Sequence, residues 1–250
     1  MTVYVKDTQF PIEANVNPYN AALGFYLRGE EVIHYREQKE IGTFTKDDIL
    51  VDYVTETQAF LAAMGIQVPH FDYPTALQPY IGRNVHQAKL EDIINNPSSW
   101  GVFIKPVSTT KWFTGRVINQ AQDLRGIGMA EDTRVWVSDA VEFVAEWRAY
   151  ILDGTVIDVR PYAGDYHFSF DATVLDAAVT AWNDAPAAYS LDIGATEDGK
   201  TLIVEVNDGY ALGSYGLSPY KYAAFLQARW QQLVAPFFAE NDVFVVPDSL

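Results

Sequence analysis

Cysteine is absent from this sequence of 250 residues, so disulfide bonds and thiolate metal sites are excluded. Histidine is scarce, and the four residues follow no spacing typical of a zinc site or a catalytic triad. Basic residues are also few, with 17 Lys and Arg against 33 Asp and Glu and a formal net charge of −16. A surface with this charge repels phosphate backbones and anionic lipid headgroups, so neither nucleic acid nor a membrane is an expected partner.

Long hydrophobic runs are missing as well. No segment approaches the roughly 18 uninterrupted apolar residues of a membrane span, and Met1 to Phe10 lacks the basic start and apolar centre of a signal peptide. We therefore expect a cytoplasmic protein. Apolar residues make up 49% of the chain, which is enough for a large core arranged as one domain or two lobes.

The first hundred residues alternate strand-like runs with helical patterns. Strands are predicted at Val3–Lys6, Val32–Tyr35 and Ile49–Tyr53, and helices at about Asn20–Arg28 and Glu56–Met64. This alternation predicts a small βαβ unit with a largely parallel sheet. Gly65 is well placed as a helix C-cap, and the Pro-rich stretch Pro69–Pro79 suits a connection. We place a boundary near residue 85, which divides the chain into an N-terminal α/β lobe, residues 1–85, and a second region, residues 86–250.

From Val102 the pattern changes to strands joined by short turns. The predicted strands are Val102–Val107, Trp112–Ile118, Arg134–Val137, Glu142–Leu152, Val156–Pro161, Tyr189–Ile193 and Thr201–Val206, with helices at about Ala172–Trp182 and Pro219–Glu240. Asp153-Gly154 is a strong signal for a tight hairpin. This region is therefore predicted to be mainly antiparallel.

Two neighbouring predicted strands carry oxygen-bearing side chains. The two-residue period of a strand puts Glu205 and Asn207 on one face, and the hairpin register can bring Asp192 opposite Glu205. Carboxylate and carboxamide oxygens suit a hard cation such as Mg²⁺. The alternative is that these residues face solvent on an amphipathic hairpin.

A lysine, Lys105, lies within the apolar run Val102–Pro106. A buried ammonium needs an anionic partner, which a phosphate or an internal carboxylate would provide. Lys111 follows shortly, next to a Thr114-Gly115 turn whose backbone amides can approach phosphate closely. Each lysine taken alone also fits a structural role.

An arginine, Arg148, shares one strand face with Glu146 and Tyr150. Its guanidinium suits bidentate binding of a γ-phosphate or a substrate carboxylate. The alternative is an ion pair with Glu146 that stabilises the sheet. Arg160, on the partner strand, is interpreted either as a second anion contact or as a surface residue.

These motifs, taken in order, resemble the ATP-grasp superfamily, and within it the clade named for an arginine and two lysines. The resemblance covers roughly residues 100 to 230 and rests on Phe-Ile-Lys105-Pro, Lys111-Trp-Phe-Thr-Gly, Glu-Trp-Arg148, Leu-Asp192-Ile and Val-Glu205-Val-Asn207. It implies an α+β ATP-grasp fold, with a preceding small α/β (βαβ) lobe and a mainly antiparallel C-terminal sheet.

The resemblance also implies roles for individual residues. Lys105 and Lys111 would contact ATP phosphates, and Arg148 would meet the γ-phosphate or an acyl phosphate, so that Arg148 and Lys111 are the expected catalytic residues. The expected Mg²⁺ ligands are Asp192, Glu205 and Asn207. Adenine would lie against the connection after the strand Arg134–Val137, where Trp136, Val137 and Ser138 would offer backbone groups.

The reaction implied is ATP-dependent joining of a carboxylate to an amine through an acyl phosphate. The expected substrates are small molecules or peptides, and the acidic surface favours a basic acceptor. The segment Asp208–Gly216 either covers the acceptor or forms a turn into the last helix. The alternatives are kinase-like phosphoryl transfer, a non-catalytic nucleotide-binding module, and a mixed α/β binding protein whose buried charges pair internally.

Overall fold

The computed structural model describes residues 1–7, 15–107, 113–127 and 133–250. Its helices are α1 (Val16–Leu27), α2 (Val54–Ala63), α3 (Gln78–Ile81), α4 (Leu90–Asn95), α5 (Ala172–Ala181) and α6 (Pro219–Phe238). Its strands are β1 (Thr2–Lys6), β2 (Glu31–Tyr35), β3 (Thr43–Thr45), β4 (Ile49–Val51), β5 (Val85–Lys89), β6 (Val102–Pro106), β7 (Arg116–Ile118), β8 (Arg134–Asp139), β9 (Ala145–Leu152), β10 (Thr155–Gly164), β11 (Ala188–Ala195), β12 (Thr201–Asp208) and β13 (Val243–Val245).

The N-terminal elements form the predicted βαβ unit. Strands pair in the order β2-β1-β4, and both pairings are parallel. The Asn15 side chain caps α1 by accepting a hydrogen bond from the Asn17 amide. Helix α2 has its C-cap at Met64, and Gly65 follows it with φ 76°, a left-handed conformation that favours glycine. The Gly65 amide donates to the Ala62 carbonyl. Gly65 therefore ends the helix as predicted, one residue beyond the C-cap itself.

Aromatic residues fill the core beside this parallel sheet. Phe44 and Phe60 pack against Trp230 of α6, and Phe60 also contacts Phe244 of β13. Strand β13 pairs antiparallel with β3. The last helix therefore belongs to the core of the first elements, although nearly two hundred residues of chain lie between them. The boundary near residue 85 stays a prediction.

Two four-stranded antiparallel sheets, β5-β8-β6-β7 and β10-β9-β11-β12, make up the rest of the fold. The turn between β9 and β10 has φ 46° at Asp153 and φ 72° at Gly154, as a two-residue hairpin turn requires. Asp192 lies opposite Glu205 on β12, as predicted, and opposite Arg148 on β9. This register places the three charged residues side by side.

Several predicted bounds are wrong. The first helix begins at Val16 instead of Asn20, and β9 begins at Ala145 instead of Glu142. Strand β8 continues to Asp139, because its end pairs with both β5 and β6. The strand predicted from Trp112 begins at Arg116 in the described residues, and Trp112 lies outside them. In the described part of the chain, the helices are too short or too polar to cross a bilayer.

Candidate active site

A half-open cavity of about 1060 Å³ lies between the two antiparallel sheets. One wall comes from β6, β7 and β8, and the other from β9, β10 and β12. The connecting segment 69–73 and the loop 210–215 also line it. Among the residues predicted for the site, Lys105, Ser138, Arg148, Glu205 and Asn207 line this cavity.

Lys105 projects from β6 between two carboxylates. Its Nζ lies 2.8 Å from Asp72 Oδ1 and 2.7 Å from Glu205 Oε2. Only 11% of its side chain is exposed. Burial lowers the pKa of the Lys105 ammonium, but Glu205, Tyr73 and Asp72 outweigh this effect and raise the pKa above its ordinary value. The ammonium is therefore charged at neutral pH. Of the two kinds of anionic partner expected from the sequence, a phosphate or an internal carboxylate, the structure shows internal carboxylates.

Asp72 is a site residue that the sequence analysis missed. Besides Lys105, it accepts a hydrogen bond from Trp136 Nε1 at 2.9 Å, and its backbone carbonyl accepts one from the Val206 amide on β12. The Tyr73 ring next to it covers the Lys105 ammonium, with Nζ 4.7 Å from the ring centroid. A single acidic residue between Phe71 and Tyr73 in a Pro-rich connection was the available signal.

Arg148 and Asp192 form a buried bidentate ion pair. Arg148 Nε and Nη2 each lie 2.7 Å from one oxygen of Asp192, and the side chains are only 8% and 3% exposed. Burial lowers the pKa of Arg148 but Asp192 raises it, with a net increase. For Asp192, burial together with Glu205 and Glu146 raises the pKa against the opposing effect of Arg148. The arginine therefore stays charged, and the pair depends on its close geometry.

The alternative prediction of an ion pair between Arg148 and Glu146 is wrong. Asp192, on the neighbouring strand, binds the Arg148 guanidinium instead. Glu146 instead accepts a hydrogen bond from Tyr162 Oη at 2.8 Å. Arg160 pairs with Asp158 at 3.0 Å and does not line the cavity. Of the two interpretations of Arg160, the structure favours the surface residue.

The predicted magnesium ligands differ in their access to the cavity. Glu205 and Asn207 line it, whereas Asp192 is 2% exposed and binds Arg148 with both oxygens. Asn207 Nδ2 lies 3.3 Å from Asp192 Oδ2. In the described part of the chain, no three His, Asp or Glu side chains converge as a preformed metal site.

The predicted adenine contacts lie inside β8. Trp136, Val137 and Ser138 have β5 on one side and β6 on the other. The connection that follows begins after Asp139, and three of its residues, Val141, Glu142 and Phe143, line the cavity. Lys111 lies outside the described residues, while Thr114 and Gly115 line the cavity.

The loop after β12 is fixed by several hydrogen bonds. The Ser214 amide bonds Asn17 Oδ1 at 2.9 Å, and Tyr150 Oη donates to the Gly213 carbonyl at 2.7 Å. Tyr215 adopts φ 42°, and its ring centroid lies 4.4 Å from the Arg148 guanidinium carbon. This loop therefore covers one side of the arginine.

A family model matches the region that builds this cavity. Residues 80–225, more than half of the chain, match the ATP-grasp domain of family 2 in the clade named for an arginine and two lysines. The chain belongs to this ATP-grasp family. The resemblance drawn from the motifs is confirmed, and so is the predicted α+β fold. No curated protein matches the sequence significantly.

Solved structures share the fold of this ATP-grasp chain. A RimK domain ATP-grasp protein from Sphaerobacter thermophilus has a TM-score of 0.62 at 13% identity, covering 92% of this chain and 99% of its own. D-cycloserine synthetase DcsG has a TM-score of 0.58 at 15% identity, covering 93% and 100%. D-alanine–D-alanine ligase from Bacillus anthracis, complexed with ATP, has a TM-score of 0.57 at 12% identity, covering 96% and 98%.

Proposed function

We propose that this ATP-grasp chain is an ATP-dependent ligase that joins a carboxylate to an amine. The observation that carries the proposal is the convergence of Lys105 from one sheet with Arg148 and Glu205 from the other on a single cavity. Its volume of about 1060 Å³ slightly exceeds the range of ordinary ligand pockets, about 300–1,000 Å³. The cavity therefore has room for a nucleotide and a second substrate. The relatives that share the fold include ligases.

Lys105 is proposed to bind the ATP phosphates, with Lys111 contributing from the neighbouring segment. A charged ammonium at the cavity wall neutralises phosphate without covalent chemistry, which is what phosphoryl transfer needs from a protein. Adenine is proposed to lie against the connection after β8, near Glu142 and Phe143, which line the cavity. In this proposal, Trp136, Val137 and Ser138 do not contact adenine directly. They hold the start of the connection in place, because they lie in β8 and pair with β5 and β6.

Glu205 and Asn207 are proposed to hold Mg²⁺. Their oxygens are the hard ligands that this ion takes, and both side chains reach the cavity. Asp192 joins them only by releasing an oxygen from Arg148, and otherwise orients the guanidinium. Mg²⁺ held there would supply positive charge that neutralises the phosphates.

Arg148 is proposed to stabilise the charge on the transferred phosphoryl group. Asp192 fixes two of its donors and Tyr215 covers one side. The guanidinium also lines the cavity, where it can donate to an anion. A substrate carboxylate oxygen attacks the γ-phosphorus and ADP leaves. The amine then attacks the acyl carbon, and phosphate leaves as the amide forms.

A thermal-shift titration tests the nucleotide site. Saturating Mg-ATP should raise the melting temperature of the wild type, because a ligand that binds the native state stabilises it. In Glu205→Ala the increase should fall to less than half. The matched control is Glu197→Ala, which removes an exposed carboxylate in the β11–β12 turn and should respond as the wild type does. An unchanged response in Glu205→Ala would contradict the assignment of this residue.

Product analysis separates the proposed reaction from its alternatives. A ligase releases ADP and phosphate together with a new amide, whereas kinase-like transfer leaves phosphate on the acceptor. Binding of Mg-ATP without turnover, across carboxylate and amine substrates, would favour the non-catalytic module.

A further inference from the structure

Asp72 joins both walls of the cavity, although it belongs to neither sheet. One carboxylate oxygen receives the Lys105 ammonium at 2.8 Å and the other receives Trp136 Nε1 at 2.9 Å. Both donors belong to the sheet that contains β6 and β8. Its backbone carbonyl accepts the Val206 amide at 3.2 Å, which lies on β12 of the opposite sheet. The residue is therefore fixed at three points.

The residues next to Asp72 strengthen this anchorage. The Tyr73 ring contacts Lys105 and packs edge-on against Trp136, with ring centroids 5.0 Å apart. The Phe71 ring packs on Trp182 and lies 5.7 Å from the Arg229 guanidinium. This segment, residues 71–73, is held by aromatic packing on both sides of the carboxylate, so Asp72 has little freedom to move.

The two acidic partners of Lys105 differ in their proposed roles toward Mg²⁺. Glu205 lies on β12 two residues before Asn207 and is a proposed magnesium ligand, so a bound metal would compete with Lys105 for its carboxylate. Asp72 has no such competing role, and its bonds to Trp136 and β12 do not involve nucleotide. Asp72 would therefore keep its contact with Lys105 when Glu205 holds the metal.

We propose that Asp72 is a positioning residue that holds Lys105 in place for the ATP phosphates. This inference rests on the proposed nucleotide site. A lysine side chain has four flexible carbons, and fixing it before binding reduces the entropy lost when phosphate arrives. A carboxylate that competed with phosphate for the ammonium would have the opposite effect. The two effects predict opposite changes in nucleotide affinity.

The experiment uses the isosteric variant Asp72→Asn in the full chain. The asparagine carbonyl oxygen still accepts from Trp136 Nε1, but the negative charge that faces the Lys105 ammonium is lost and an amide NH2 group takes its place. Asp184→Asn is the matched control, because it removes the same charge from an exposed position in the wall of the adjoining cavity. Asp72→Glu is the conservative variant, which should restore part of the effect.

The first readout needs no nucleotide. Lys105 is acetylated with acetic anhydride over a time course at one fixed pH and quantified by peptide mass spectrometry against the exposed Lys200. In Asp72→Asn the labelling of Lys105 should be faster than in the wild type, because the ammonium has lost the ion-pair partner that lies 2.8 Å from it. A labelling profile identical to that of Asp184→Asn would overturn the proposal.

The second readout is the dissociation constant of Mg-ATP by calorimetry. We expect an increase of about tenfold in Asp72→Asn, no change in Asp184→Asn and partial recovery in Asp72→Glu. Tighter binding in Asp72→Asn would overturn the proposal and make Asp72 a competitor of phosphate. If the wild type itself fails to bind Mg-ATP, the proposed function is lost, and with it the role of Asp72 toward phosphate. The labelling profile then still decides whether Asp72 holds Lys105.

Discussion

Replacing Arg148 by methionine is expected to lower the free energy of unfolding by about 3–5 kcal/mol. The change removes the partner of Asp192, which is 2% exposed, and leaves a carboxylate in the interior. Methionine fills a volume similar to that of arginine, so the loss of the ion pair contributes more to the change in stability than any change in packing does. Urea denaturation monitored by circular dichroism gives the difference directly.

The pH dependence of this variant provides a further check. Burial, Glu205 and Glu146 all raise the pKa of Asp192, and without Arg148 nothing comparable opposes them. A carboxyl group with a higher pKa in the folded chain binds more protons when folded, so stability falls as the pH rises above the usual range of aspartate. The deficit relative to the wild type should therefore be larger at pH 8 than at pH 5.

The control for the Arg148 variant removes both charges. Arg148→Met combined with Asp192→Val should recover most of the lost stability, because valine is closer in size to aspartate and the apolar pair carries no desolvation penalty. Two results would contradict the assignment of Arg148 and Asp192 as a stabilising buried pair: a single variant as stable as the wild type, or a double variant less stable than the single one.

Replacing Lys105 by methionine is expected to weaken Mg-ATP binding on the order of 100-fold, because hydrogen bonds to charged groups contribute about 1.5–3 kcal/mol and each 1.4 kcal/mol is tenfold. The fold should survive with a loss of about 1–2 kcal/mol. Asp72 and Glu205 keep 26% and 25% of their side chains exposed, so water reaches both carboxylates after the substitution. Calorimetry measures the affinity, and a thermal melt measures the stability.

The matched control for the Lys105 variant is Lys200→Met, which removes an exposed lysine from the β11–β12 turn and should bind Mg-ATP as the wild type does. If Lys105→Met unfolds instead, Lys105 serves only to neutralise internal carboxylates. That result would favour the binding protein with internally paired charges over the ligase.

Local signals in the sequence predicted much of the fold. The Asp153-Gly154 turn specified the β9–β10 hairpin because only a few residues tolerate its left-handed conformations. Asp192 opposite Glu205 followed from a short hairpin with few possible registers. Strand β13, by contrast, pairs with β3 about two hundred residues earlier, and three-residue strands carry no periodicity that reveals their partner.

The ion-pair partners of Lys105 and Arg148 could not be predicted from the sequence. Lys105 was expected to need an anion, but Asp72 and Glu205 are 33 and 100 residues away from it. For Arg148 the sequence suggested an ion pair with Glu146, because Glu146 lies only two residues away on the same strand face. The true partner, Asp192, comes from the adjacent strand through a pairing of β9 with β11 that only the folded sheet defines.

The position of α6 and β13 has a consequence for synthesis on the ribosome. Strands β1, β2 and β4 emerge first, yet Phe44 and Phe60 acquire their partners Trp230 and Phe244 only when the later segments appear. Until then the nascent chain presents an uncovered aromatic face, the kind of surface that chaperones bind. The hairpins β9–β10 and β11–β12 join residues close in sequence and close quickly. The elements that precede the two antiparallel sheets in the chain are therefore completed after those hairpins.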